Sequence, residues 1–223
     1  MDFTALIDLK GAALVLGGTL LATIMGSGRR ELSAGIAALF NMLQRPFNFE
    51  SARSEIARDV EAIRHDGLLR ANPFKSSDSQ LASMADALIH DRSLSSLVEA
   101  HERFRDTRRQ NRNEALRPVA LAGEMAPVFG MAGTLFALSQ IEYDASESLV
   151  LMASVGMAIL TTLYGLLLAH LVFNPLSRMI ERRGEREEFD RQLLIDWLAK
   201  QLAHSLPPDR GSPPGSPKLE RVV

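Results

Sequence analysis

Gly123–Leu138 reads GEMAPVFGMAGTLFAL, and Gly156–Arg183 reads GMAILTTLYGLLLAHLVFNPLSRMIERR. These two stretches decide the fold. Gly123, Pro127, Gly130 and Thr134 stand at offsets 0, 4, 7 and 11, and Ala158, Thr162, Gly165 and Ala169 repeat those offsets. Such offsets place each set on one face of an α-helix. In lipid, a small-residue face lets helices approach closely, because packing replaces the hydrophobic effect as the drive for association. Each stripe also carries a mid-depth hydroxyl, Thr134 or Thr162, and Thr161 is adjacent.

Working outward, three stretches carry no Asp, Glu, Lys or Arg: Gly11–Gly28, Met125–Ile141 and Ser148–Ser177. About 20 apolar residues at ~1.5 Å rise cross a hydrocarbon layer of ~30 Å. The chain average hides this: mean hydropathy is +0.01, because dense charge elsewhere offsets three apolar spans. The second span is expected from about Pro118 to Ile141 and the third from about Leu149 to Pro175.

Charge sets the topology. Arg29 and Arg30 follow the first span, and Arg108, Arg109, Arg112 and Arg117 precede the second. Arg178, Arg182, Arg183 and Arg186 follow the third. Between the second and third lies EYDASES, acidic and without Lys or Arg. Basic flanks stay in the cytoplasm, so the N-terminus is outside and a helical hairpin follows a large cytoplasmic region. A cleaved signal needs a basic start, whereas MDFTALIDLK has Asp2 and Asp8 against Lys10. The first span is therefore expected to be retained.

The expected organisation is an all-α integral membrane protein with three transmembrane helices. Residues 1–28 form the first, 29–116 a cytoplasmic helical region, 117–177 the membrane hairpin, 178–204 a cytoplasmic helix and 205–223 a disordered tail rich in Pro, Gly and Ser. Within the cytoplasmic region Ala57, Val60, Ile63 and Leu68 recur at near-helical spacing, as do Leu81, Met84, Ala85, Leu88 and Ile89. Leu94, Leu97 and Val98 continue the apolar face. Asn72-Pro73 breaks the pattern, and Ser76–Ser79 supplies a helix cap.

Several residues in the hairpin invite two readings. Pro127 removes a backbone donor and frees a carbonyl one turn earlier, which suits either a hinge lining a hydrated path or a tolerated kink. Glu124 is either a functional acid or a group at headgroup level. His170 reads as an interfacial donor rather than a proton relay, and Pro175 as a helix-end marker. No acid is expected near the midplane of a span, so a central carboxylate would come from a partner. Zero cysteines exclude disulfides and thiolate metal sites. The five His are scattered, and no phosphate loop or nucleophile triad is present, so an enzyme is not expected. Net charge is −2, which gives no basic field for nucleic acid.

The hairpin strings resemble the MotA/TolQ/ExbB proton-channel family, in its flagellar stator A-subunit (MotA/PomA) branch. The likeness rests on the proline after the acidic residue, the G-T pair, the T-T-L-Y-G run and the F-x-P exit. LVLGGTLLATIMG resembles that branch's second membrane helix, and a weaker likeness runs on to AIRHDGLLRAN. The resemblance implies a homopentamer around two single-span B-type (MotB-like) partners, each carrying a membrane Asp, with ion transit driving rotation against the flagellar rotor. It implies a bacterial inner-membrane location and no cofactor, the transported ion being H+ or Na+. Under it, Thr134, Thr162 and Thr161 line the ion path with Pro127 and Glu124. Pro127 and Pro175 are the conformational prolines, and Arg64 is the rotor contact. Gly123, Gly130, Ala158, Gly165 and Ala169 pack helices.

Two departures stand out. Members of that branch have four spans, and this chain begins where their second would, giving the three-span count of TolQ and ExbB. Asn72 occupies the position of a rotor-facing Glu, with Asp66 and Arg70 nearby. The competing readings are a TolQ/ExbB-like energiser of a periplasm-spanning system and a non-conducting membrane scaffold.

Overall fold

The computed structural model describes residues 8–42, 47–66, 76, 78–140 and 148–203. Every regular element among them is helical: α1 (Leu9–Gly26), α2 (Arg29–Asn41), α3 (Phe49–Asp66), α4 (Ser79–Asp91), α5 (Leu94–Ser139), α6 (Ser148–Leu167), a π-helical turn (Leu168–Phe173) and α7 (Asn174–Leu202). Three helices are long and apolar enough to cross a membrane: Leu9–Gly26, Leu94–Ser139 and Met152–Leu202. The chain divides into two compact units, residues 1–45 with 109–184 and residues 46–108 with 185–223. The expected tail, Leu68, Asn72-Pro73, Arg70 and EYDAS–Glu147 lie outside the described residues, as does the side chain of Arg64.

The first unit holds the membrane spans. Asp8 starts α1 by accepting from the backbone N–H groups of Lys10 and Gly11, which would otherwise lack partners. Gly11, Val15, Thr19 and Thr23 form the buried face of α1, at a spacing of four residues. Thr19 and Thr23 donate their hydroxyls to Val15 O and Thr19 O, so neither leaves an unpaired donor in the apolar layer. Gly18 accommodates the Phe129 ring, and Gly26 lies against Leu121. The large residues Leu21, Met131, Leu135, Met152 and Ile159 point outward, as lipid-facing side chains do.

α2 begins after a break at Ser27-Gly28, where the Glu31 carboxylate accepts from Gly28 N. Arg117 donates to Glu31 at 2.6 Å, and Arg30 pairs with Glu114 at 2.9 Å, tying α2 to α5. Gly35 leaves room for Pro118, which stands inside α5 as Pro127 does. At its other end, Arg183 Nη1 donates to Met42 O at 2.7 Å.

The second unit is built on a helical apolar core. Ala52, Ile56, Val60 and Ile63 of α3 meet Leu81, Met84, Ala85 and Leu88 of α4, Leu97 of α5 and Leu194, Ile195, Leu198 and Leu202 of α7. Ala57 is exposed, against expectation. One residue from Ile56 is a turn of about 100° around the helix, enough to leave the buried stripe. Val98 is 40% exposed for the same reason, lying beside buried Leu97. The cap of α4 falls within the expected segment: Asp78 accepts from Gln80 N and Leu81 N, and Asp78 N donates to Ser76 Oγ.

Candidate ion-path hairpin

The centre of the first unit is the crossing of α5 and α6. Both helices place glycine there, and their backbones come nearly into contact. A Cβ on Gly165 would lie 2.6 Å from Ala126 O and 3.2 Å from Pro127 Cα. A Cβ on Gly130 would lie 3.0 Å from Thr161 O and 3.3 Å from Thr162 Cα. Ala126, Ala158 and Ala169 are buried around this crossing, so the two small faces spend themselves on each other within one chain.

The hydroxyls differ in setting. Thr161 is 1% exposed. It is boxed by Gly133 of α5 and Gly11 of α1: a Cβ on either glycine would lie 2.8 Å from a Thr161 side-chain carbon. Thr134 and Thr162 are half-buried. All three hydroxyls donate to carbonyls of their own helix, Thr134 to Met131 O at 2.6 Å, Thr161 to Ala158 O at 2.9 Å and Thr162 to Ala158 O at 3.4 Å. A hydroxyl that donates backward keeps its oxygen lone pairs for another group. Thr134 and Thr162 therefore keep acceptor capacity on their hydroxyl oxygens.

The cytoplasmic end of the hairpin holds its two irregularities side by side. Pro175 has no N–H, and in a regular helix its ring would clash with the carbonyl of Leu171. The chain answers with a π-helical turn, in which Asn174 N donates to Ala169 O. The helix then continues for 29 residues, so Pro175 does not end it. The expectation of a helix end fails because a π turn absorbs the proline with one extra residue. Gly123, one turn before Pro127, lies against Phe173 and Asn174. Asn174 in turn pairs with His170 Nδ1 at 3.2 Å. Glu124 and Pro175 are exposed.

Three features escape the stripe pattern. Gly133 belongs to neither set of offsets, yet it receives Thr161. Gly11 does so from α1. The Tyr164 hydroxyl accepts from Asp8 N at 2.9 Å, joining the start of α1 to α6. The G-T pair and the T-T-L-Y-G run were the available signals for Gly133, Thr161 and Tyr164, but spacing within one helix does not reveal a contact with another.

The family model for MotA/TolQ/ExbB proton channels matches residues 75–192, which include α4, the whole hairpin and most of α7. The chain belongs to the MotA/TolQ/ExbB proton channel family. That family is one of proton channels rather than an enzyme class, and with its spans this member is a multi-pass protein of the bacterial inner membrane. YtxD of Bacillus subtilis is 27% identical over 210 residues, covering 88% of this chain and 73% of YtxD. The chemotaxis protein PomA of Vibrio alginolyticus is 23% identical over 197 residues, covering 86% of this chain and 76% of PomA. Among solved structures, the C. jejuni MotAB structure matches with a TM-score of 0.79 at 16% identity, covering 90% of this chain and 81% of that one. The flagellar MotAB stator complex of Bacillus subtilis matches with a TM-score of 0.78 at 18% identity, with the same coverage. These likenesses extend the family fold over nearly the whole chain, beyond the segment that the family model matches.

Proposed function

We propose that this chain is the A-type subunit of an ion-driven flagellar stator. In this reading several copies, five by resemblance, surround a single-span B-type partner, and the partner's membrane Asp binds the ion in transit. The chain supplies the uncharged wall. The observation that carries the reading is the hairpin core: a glycine-on-glycine crossing flanked by Thr134 and Thr162, whose oxygens stay available as acceptors. Relatives named for motility and chemotaxis, and the fold shared with MotAB, support the same reading.

Moving one charge through ~100 mV releases about 2.3 kcal/mol. That release does mechanical work only if it changes how helices pack. A charged carboxylate in an apolar layer is costly unless paired, and a neutral one is not. Ion binding therefore converts the partner's Asp from a group that must stay near water into one that tolerates the hairpin wall. Acceptor hydroxyls at Thr134 and Thr162 then accept the O–H hydrogen bond of the neutral carboxyl or ligate the bare cation. Pro127 and the π turn before Pro175 sit together at the inner end of the path. There the helices give most easily, because their i→i−4 ladder is already interrupted.

The test is the double variant Thr134→Val with Thr162→Val, which keeps side-chain shape and removes both oxygens. Motility of cells carrying it as their only stator, and partner-dependent ion flux in vesicles, should both collapse while expression and assembly persist. Unchanged swimming and flux overturn the reading. A swimming defect absent from the deletion strain, with envelope leakage in its place, assigns the chain to an energiser of the envelope instead.

A further inference from the structure

The second unit contains a buried polar chain that plays no part in the ion path. His101 of α5 is a core residue, its side chain 3% exposed. Its Nε2 lies 3.1 Å from Gln192 Oε1 of α7 and 3.8 Å from Glu188 Oε1. Gln192 Nε2 donates to Asp196 Oδ1 at 3.0 Å. That bond fixes the amide, so its oxygen faces the imidazole and Nε2 must carry the proton. Nδ1 is buried and has no hydrogen-bond partner among the described residues. As a bare ring nitrogen it is tolerated there. As an N–H it would be a buried donor without an acceptor.

The remaining neighbours also disfavour a second proton. Glu188 is already engaged: Arg108 Nε and Nη2 donate to its two oxygens, each at 3.0 Å, and Arg105 Nε lies 3.7 Å away. From its own helix, then, His101 meets two guanidinium groups. From α7 it meets Glu188 and, beyond Gln192, Asp196. α4 contributes the neutral Gln80, which accepts from Arg108 at 2.6 Å, while Asp78 is bound by Arg191 at 2.7 Å. One carboxylate shared by two arginines has little attraction left for a third cation.

We propose that His101 is a proton-operated latch: neutral, it holds α5 to α7 through Gln192, and protonated, it loosens the second unit. Burial first, then the charges of Arg108 and Arg105, hold its pKa below the ordinary histidine value, against the Gln192 bond and Glu188. The folded form therefore binds fewer protons than the unfolded one. Stability is full above the unfolded histidine value, declines as pH falls through it, and stops declining below the folded value. Glu188 and Asp78 are held below the usual carboxylate range and stay ionised through that window. The latch thus responds to cytoplasmic acidification before Glu188 or Asp78 does, and it does so whether or not the chain is part of a stator.

The test uses the full chain in lipid nanodiscs. Hydrogen exchange of backbone amides in Leu81–Leu88 and Leu194–Leu202 is followed from about pH 7.5 to about pH 5.5, corrected for intrinsic rates. These amides should exchange faster at the acid end, because the fold binds the His101 proton more weakly than the unfolded chain does. His101→Gln should abolish the acid step. Independently of that variant's folding, 15N spectra of the wild-type imidazole should show the Nε2–H tautomer at neutral pH and titration below the free histidine range. An acid step that persists in His101→Gln overturns the proposal. So does a wild-type His101 in the Nδ1–H form, or one that titrates at or above the free value.

Discussion

Gly130 and Gly165 meet face to face: a Cβ on Gly165 would lie 3.0 Å from Gly130 Cα, and one on Gly130 would lie 3.2 Å from Gly165 Cα. No larger residue fits at either position without parting α5 from α6. The small stripe of each helix thus serves first to join the two helices of one subunit. Thr134 and Thr162 are half-buried; in the proposed function they, rather than the glycine seam, face the partner.

Gly165→Ala should cost about 1–3 kcal/mol, the usual penalty for overpacking, because the nearest obstacle is the backbone oxygen of Ala126. Gly17 has nothing within 4 Å of a new Cβ, so Gly17→Ala is the control and should not destabilise, since Ala is the better helix former. Thermal unfolding of both variants in one detergent checks this. Equal midpoints would mean that the crossing is not tight.

Pro175→Ala should let the π turn relax to regular helix, since residue 175 would regain an N–H for Leu171 O. Losing the extra residue turns the start of α7 by about 100° around its axis. Spin labels at Gly17 and Glu181, both in the first unit, report the change as a new distance distribution. An unaltered distribution, with motility retained, would remove the π turn from the mechanism.

Glu188→Gln should destabilise the second unit by about 1.5–3 kcal/mol, the worth of hydrogen bonds to charged groups, because the neutral amide keeps one acceptor oxygen for Arg108 and turns an NH2 toward its other N–H. Burial alone would raise this carboxyl, but the Arg108 bonds and charge, with His101 and Arg105, hold it below the usual range. Its contribution is therefore complete above the unfolded Glu value and disappears as pH falls through the folded one. Chemical denaturation of wild type and variant should converge only in strong acid. Curves that differ equally at all pH values would rule out the ionised pair.

Leu88→Ala, at a fully buried position of α4, should cost about 2–5 kcal/mol. The loss should show as faster exchange in Leu81–Leu88 with ion flux through the hairpin intact. Flux lost in parallel would tie conduction to the second unit's core.

The membrane layout was legible because three charge-free stretches and their basic flanks leave few topologies, and α1, α5 and α6 follow from them. The offsets in α5 and α6 identified the faces that meet. They did not identify the third helix at the seam: Gly11 lies on α1, and its contact with Thr161 depends on how α1 crosses α6. Spacing put Thr162 on the stripe with Thr161 merely adjacent, whereas the crossing buries Thr161 and leaves Thr162 half-buried. Pro175 was misread because propensity registers a missing donor but not a π turn that accommodates it. His101 and Glu188 are 87 positions apart in the sequence, and no local pattern pairs them. Only the packing of α5 on α7 does.

In the proposed function the wall and the titrating carboxylate belong to different chains. Ion flux into vesicles tests this, with this chain reconstituted alone, with a single-span partner, and with that partner's membrane Asp replaced by Asn. The account predicts flux in the second case only. Flux through this chain alone, or flux indifferent to the partner's Asp→Asn change, would contradict it.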